Sequence, residues 1–296
     1  LKVSAPFALI ERADLNLKIE ILMKALIPAA GLGTRYLPWS KAVPKELIPV
    51  GAYPVLHYVV AEAKAAGCRE IGIILSEGKE AIRRYFTRDE EFMEWLDTRG
   101  KRKHLAAWEA LMDGLEFVWL DQEEQHGLGD AVRCGTGFAG DDPVCLLLGD
   151  TLMEGGSPLK EMLARYRAGG CSQVAVEPVS AQRATRYGVC GGTMDETGNF
   201  QLDQMIEKPR VDEIPVMRDS AGTALPNAYA IAARYLLSPA VFRALEHAEA
   251  GLNGEIQLTD AMAKVLEAEG FAAVELPGKR RDIGVPESSE PLPEYL

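Results

Sequence analysis

Arg35, Lys41 and Lys45 follow one another closely behind a loop that carries Gly31 and Gly33, all within residues 24–49, KALIPAAGLGTRYLPWSKAVPKELIP. A glycine has no Cβ to keep the backbone away from a ligand, so such a loop can turn its N–H groups toward phosphate oxygens. The three cations then neutralise the charge that the loop has bound. Together these residues point to a nucleoside triphosphate. Two better-known glycine loops are excluded. The dinucleotide fingerprint G-x-G-x-x-G would need its third glycine where Tyr36 stands, and G-x-x-x-x-G-K followed by Ser or Thr does not occur.

The order of the residues says more than the glycines do. Residues 31–46 read G-L-G-T-R-x-L-P-x-S-K-A-x-P-K-E, and this string resembles the nucleotide-binding signature of the sugar-1-phosphate nucleotidylyltransferases. Its K-A-x-P-K-E ending is similar to the bacterial UTP–glucose-1-phosphate uridylyltransferase branch. The resemblance implies Mg2+-dependent transfer of a uridylyl group from UTP to glucose 1-phosphate, releasing pyrophosphate. It implies that Ala30, Gly31, Gly33 and Thr34 bind the nucleotide. Arg35 would hold the leaving phosphates and Lys45 would contact those near the reacting centre, both as catalytic residues, with Glu46 orienting Lys45. Each cation would lower the barrier by about 3 kcal/mol if aimed at developing charge. Lys41 has no role assigned by the resemblance.

Joining two anions calls for carboxylates that hold a divalent cation and for polar groups that read base and sugar. Asp150 closes LLLGD at the end of an apolar run, a natural place for a Mg2+ ligand, since Mg2+ takes one or two carboxylates plus phosphate oxygens. Asp282 in R-R-D-I-G matches the late D-x-G of the family and would be the second ligand. Glu207-Lys208-Pro209 resembles the acceptor site, with Lys208 on the sugar's phosphate and Glu207 accepting from its hydroxyls. Tyr187 and Gly188 resemble the sugar-contacting strand, with Gly188 letting a hydroxyl reach the backbone. Gln122 can match the donor–acceptor edge of uracil, and Gly127 would let the following G-L-G-D-A-V string pass close to the base. His126 stands where the family often has Lys.

These residues need a frame. Residues 24–28, 71–75, 116–120 and 144–148 are short runs, apolar apart from the leading Lys24 and Glu116, as suits strands covered on both faces. Residues 54–66 have helical spacing, with Val55, Leu56, Val59, Val60 and Ala63 on one face. The expected fold is α/β: a Rossmann-like, doubly wound, mainly parallel sheet, to which the resemblance adds a smaller β-rich acceptor subdomain. Ligands of such sheets bind beyond the carboxyl ends of the strands, where the glycine loop and Asp150 lie. Residues 86–114 pattern as a helical insertion. The second half offers strands at 173–177, 187–190, 200–207 and 227–232, then helices at 239–247 and 256–269.

The 296 residues are 47% hydrophobic and carry a net charge of −12, which argues against nucleic acid as a partner. No run of eighteen apolar residues occurs, so no membrane span is expected. Five scattered cysteines, none in C-x-x-C, fit a reducing cytoplasm. Residues 1–22 are expected to be an extension outside the fold, 23–284 the nucleotidyltransferase domain, and 285–296, PESSEPLPEYL after Val285, an irregular tail. Family members usually continue past D-x-G into G-Y and a helix. The resemblance otherwise implies a homo-oligomer, a dimer or tetramer. Two rival readings share the motifs: a dTTP-dependent thymidylyltransferase and a catalytically silent nucleotide-sugar-binding regulatory subunit.

Overall fold

A computed structural model of the chain describes residues 23–196, 198–251 and 254–284; the expected extension and tail lie outside the described residues. The apolar run at its start becomes strand β1 (Met23–Pro28), whose alternate side chains feed two different cores. Ala25 and Ile27 enter one apolar cluster and Leu26 the other, so β1 is covered on both faces. Two two-residue strands follow, β2 (Pro49–Val50) and β3 (Tyr53–Pro54), then the helix Val55–Ala65. Val55, Leu56, Val59, Val60 and Ala63 are all fully buried, the face that the spacing predicts.

The remaining strands are β4 (Cys68–Leu75), β5 (Glu116–Asp121), β6 (Val144–Leu147), β7 (Thr151–Glu154), β8 (Ser172–Val179), β9 (Gly188–Met194) and β10 (Phe200–Glu207). After them come β11 (Met217–Arg218), β12 (Ala228–Leu237), β13 (Phe271–Glu275) and β14 (Lys279–Asp282). Ten of them form one sheet in the order β11-β9-β10-β13-β8-β12-β6-β1-β4-β5. The block β6-β1-β4-β5 is parallel, but β12 runs antiparallel to both β6 and β8, and β10 antiparallel to β9 and β13. The sheet is therefore mixed rather than mainly parallel. The cause is local in one place: β9 and β10 are joined by a short turn, which only antiparallel neighbours allow.

The strands expected in the smaller acceptor subdomain belong to this same sheet. All ten residues of β12 are buried, and it pairs with β6, β8 and β9, so it joins the two halves. At the opposite edge β5 is only half covered, with Val118 37% exposed, unlike the both-face burial expected of it. The insertion is helical, Glu90–Thr98 and Ala106–Met112. Met93, Leu96, Trp108 and Leu111 face inward, while Phe92 and Trp95 stack on each other at the surface.

Strands β7 and β14 are unmarked by any local pattern; they pair antiparallel as a separate ribbon with Asp282 opposite Thr151. The ribbon is braced by the fully buried Arg234 of β12. Its guanidinium donates to both carboxylate oxygens of Glu62, at 2.9 and 2.6 Å, and to the Thr151 carbonyl at 2.8 Å. Glu62, on the helix Val55–Ala65, also accepts from Ser157 at 2.6 Å. Removing one member of such a pair strands a buried charge. Glu62→Ala is thus expected to lower the unfolding free energy by about 3 kcal/mol in urea titrations. The double variant Glu62→Leu/Arg234→Met should lose less than Glu62→Ala; a double that loses more would contradict the pairing account.

Candidate active site

The glycine loop turns at Gly33, whose φ of +65° places it in the left-handed region, and runs into three short 3-10 turns at Thr34–Tyr36, Trp39–Lys41 and Lys45–Leu47. The last turn sends the Lys45 side chain back along the loop, with Nζ 3.6 Å from where a Cβ of Gly31 would lie. It ends on the Asp150 carboxylate, in a direct ion pair. Asp150 follows β6 after Leu148 and Gly149, and its carbonyl accepts from Ile283 N at 2.8 Å. The ribbon β7–β14 thereby sets Asp282 beside Asp150. A Cβ on Gly284 would lie 2.8 Å from Asp282 Oδ1 and 2.9 Å from Asp150 Oδ2, so this approach of the two carboxylates needs glycine there. Tyr36 ties the loop to the ribbon by donating to the Ile283 carbonyl at 2.5 Å.

The charges respond to this crowding. Burial drives the Lys45 ammonium toward neutrality, but Asp150, Glu46 and Asp282 outweigh it and hold its pKa above the ordinary lysine value. Burial opposes ionisation of Asp150 too, yet the charge and hydrogen bond of Lys45 bring its pKa below the usual carboxylate value. Asp282 is raised, first by burial and then by the like charge of Asp150. Among the described residues no three His, Cys, Asp or Glu side chains converge to form a metal cage. Two converging carboxylates without a third fit Mg2+, whose remaining positions go to phosphate oxygens and water.

Two cavities adjoin one another, the first of them reaching Lys45 and Asp150. One, of about 260 Å³, is bordered by Ala30, Gly31, Lys45, Gln122, Gly127 and Asp150. The other, of about 310 Å³, is bordered by Tyr187, Gly188, Glu207, Lys208, Thr259 and Arg280. Gly127, Leu128, Leu148 and Glu255 line both. The structure thus gathers most of the expected residues into two groups. Gly33, Thr34, Arg35 and Asp282 border neither cavity, and Thr34, Arg35 and Lys41 are exposed.

Several local reasons differ from those expected. Gly127, at φ +100°, takes the 255–256 loop against its backbone: a Cβ there would lie 2.9 Å from the Ile256 carbonyl oxygen. Gly188 makes room for side chains, since its Cβ would stand 2.8 Å from Thr259 Oγ1 and 3.1 Å from Glu207 Oε2. Thr259 donates to that same Glu207 oxygen at 2.7 Å, and Lys208 Nζ lies 3.6 Å from the other. Glu46, expected to orient Lys45 directly, instead pairs with Lys79 at 2.7 Å, both residues being buried. Burial pushes the Glu46 carboxyl up against the pull of Lys79 and Lys45.

Sequence reasoning missed Lys79, which sits in a charged stretch with nothing to mark it. It also missed Arg280, whose guanidinium lies 4.2 Å over the Tyr187 ring, pairs with Glu177 at 2.7 Å and donates to the Ile231 carbonyl. Arg280 shares a strand face with Asp282, but that becomes apparent only once β14 is known.

Comparison with known proteins bears on this arrangement. The family model described as nucleotidyl transferase matches residues 24–290. A UTP–glucose-1-phosphate uridylyltransferase from Pseudomonas aeruginosa is 38% identical over 267 residues, 89% of this chain and 92% of that protein. A crystal structure of apo UDP-glucose pyrophosphorylase superposes with a TM-score of 0.80 at 32% identity, covering 91% of this chain and 96% of that one. A UDP-glucose pyrophosphorylase complexed with UDP-glucose gives a TM-score of 0.76 at 31% identity, with the same coverage of both chains.

Lys208 carries backbone strain at the edge of the second cavity, with a φ of +46° where non-glycine residues are rare. Its N–H is fixed to the Tyr187 carbonyl at 3.0 Å. Lys208→Gly relieves this strain and Lys208→Ala keeps it, while both remove the cation. Thermal or urea unfolding is expected to find the Gly variant more stable than the Ala variant by about 1 kcal/mol. Equal stabilities would show that the strain is not stored there.

Proposed function

The chain belongs to the nucleotidyl transferase family, and from that premise we propose that it transfers a uridylyl group from UTP to glucose 1-phosphate, yielding UDP-glucose and pyrophosphate. The observation that carries the proposal is the pair of adjoining cavities that share Gly127, Leu128, Leu148 and Glu255, the first of them bordered by Lys45 and Asp150. One has the size and polarity for a nucleoside and the other for a sugar phosphate. Relatives named for UTP and glucose 1-phosphate, and a neighbour complexed with UDP-glucose, support this choice of substrates.

The uracil enters beside Ala30, Gly31, Gln122 and Gly127, and the triphosphate extends along Gly33 and Thr34 toward Arg35. In the free protein Lys45 neutralises Asp150. An arriving phosphate competes for that ammonium and frees the Asp150 carboxylate; Asp150 and Asp282 are the residues that would hold Mg2+. When bound, the metal supplies Lewis-acid polarisation of a phosphoryl oxygen and a template for both phosphates. Glu207, set by Thr259, accepts from sugar hydroxyls, while Lys208 holds the sugar's phosphate. An oxygen of that phosphate attacks the α-phosphorus of UTP, the α–β bridging bond breaks, and its electron pair departs on pyrophosphate. The nucleophile is already an anion, so the step needs alignment and charge neutralisation rather than a general base. All five cysteines are free, which supports placement in a reducing cytoplasm. The intact set Lys45, Asp150 and Asp282 argues against a silent sensor.

Pyrophosphate release with Mg2+ and glucose 1-phosphate is expected to be fastest with UTP among UTP, dTTP, ATP, CTP and GTP. A preference for dTTP would overturn the base assignment, and no release with any of the five would overturn the reaction. Lys208→Ala is expected to raise the KM for glucose 1-phosphate with little change in kcat. Asp150→Asn should lower kcat about a hundredfold at saturating substrates. Equal losses in both parameters for both variants would count against these separate roles.

A further inference from the structure

Asp130, which the sequence does not single out, is buried behind the wall of the nucleotide cavity and holds a residue that faces it. Its Oδ2 accepts from Gln122 Nε2 at 2.7 Å, and its Oδ1 accepts from Arg133 at 2.5 Å. Asp130 and Gln122 are only 5% and 3% exposed. The backbone of Gln122 is fixed as well, with its N–H on the Leu75 carbonyl at 2.7 Å and its carbonyl accepting from Gln125 at 3.4 Å. What remains to be set is which way the amide faces.

A carboxylate engaged by a guanidinium only accepts hydrogen bonds. It therefore draws the NH2 end of the Gln122 amide to itself and turns Oε1 away. Among the described residues Oε1 has no protein partner, yet it is not one of the sealed, unpartnered polar atoms. It opens onto the cavity that Gln122 lines. We infer that Asp130, clamped by Arg133, is a positioning residue that locks the Gln122 amide with its carbonyl toward the base. The site thereby selects a pyrimidine that offers a ring N–H, as uracil does at N3, over cytosine, whose N3 is an acceptor. An amide free to flip would serve either base, since it can present donor and acceptor in either order. The inference rests on the proposed binding of a uridine nucleotide in this cavity.

Asp130→Asn keeps the volume but can donate as well as accept, so it satisfies both orientations of Gln122. The test is the affinity for UTP and for CTP, measured by calorimetric titration in Mg2+ buffer for the wild type and the variant. The wild type is expected to bind UTP at least about tenfold more tightly than CTP, and Asp130→Asn to bring the two within about threefold. Asp130→Ala, which frees the amide altogether, should shift the ratio in the same direction and carries the test if the Asn variant does not fold. A merely structural Asp130 would weaken both nucleotides equally; an unchanged ratio overturns the inference, as does a wild type that binds the two alike. Titration needs no turnover. UTP bound selectively without pyrophosphate release would defeat the proposed reaction and leave the base selection standing.

Discussion

Two carboxylates, Asp150 and Asp282, are held against each other at the end of the central strands, and much of the surrounding structure serves to keep them there. Like charges so close repel, and burial makes ionisation costlier still, which is why the Asp282 carboxyl stands above its usual pKa. Lys45 relieves part of that repulsion by settling on Asp150. The ribbon that carries Asp282 cannot drift, because its partner strand begins at Thr151, whose carbonyl accepts from the buried Arg234. Arg234 is in turn anchored on Glu62 of the first long helix. A chain of buried polar contacts thus leads from the helical layer to the point where charge must be concentrated.

The acidity of the whole chain, at −12, conflicts less than it first suggests with a pair of anionic substrates. Charge acts over a Debye length of about 8 Å at physiological salt. What decides binding is therefore the local set, and here Lys45, Arg186, Lys208 and Arg280 border the two cavities against Glu46, Asp150, Glu207 and Glu255, with Arg35 on the loop nearby. Glu207 does not spoil this balance, since one of its oxygens is occupied by Thr259 and its useful partners are hydroxyls rather than phosphates. Glu46 is neutralised by Lys79 out of reach of solvent.

Legibility in the sequence followed the reach of each signal. Strand β1, the helix Val55–Ala65 and strand β10 were readable because apolar runs and helical spacing are local patterns. The motif residues were readable because the spacing in the signature string is itself a short-range record of one loop. Strand β14 was not, since K-R-R-D has no strand pattern and its pairing with β7 is made across more than a hundred residues of chain. The pairs Glu46–Lys79, Gln122–Asp130 and Glu207–Thr259 were invisible for the same reason: each side chain is ordinary until the fold supplies its partner. The glycines show the subtler failure. Gly127 and Gly188 stand out in the sequence as room for a ligand, but the space beside each is taken by the protein's own Ile256, Thr259 and Glu207.

The departure from a mainly parallel sheet has a consequence for the chemistry. In-line transfer tolerates little misalignment, and an error of about 1 Å can cost a hundredfold in rate. Two separate domains would have to hold donor and acceptor in register through a soft interface. Here β12 runs antiparallel between β6, which leads to Asp150, and β8, and also pairs with β9, which begins at Gly188. One buried strand therefore fixes the half of the sheet that leads to Asp150 against the half that carries Gly188. Its register breaks between Ile231 and Tyr235, at the point where Ala233 takes a left-handed φ of +59° and its carbonyl accepts from Leu148 N. Ile231, Ala233 and Tyr235 all border the second cavity. The irregularity thus falls in the wall of the second cavity, where a bulge bends the strand that an unbroken ladder would keep straight.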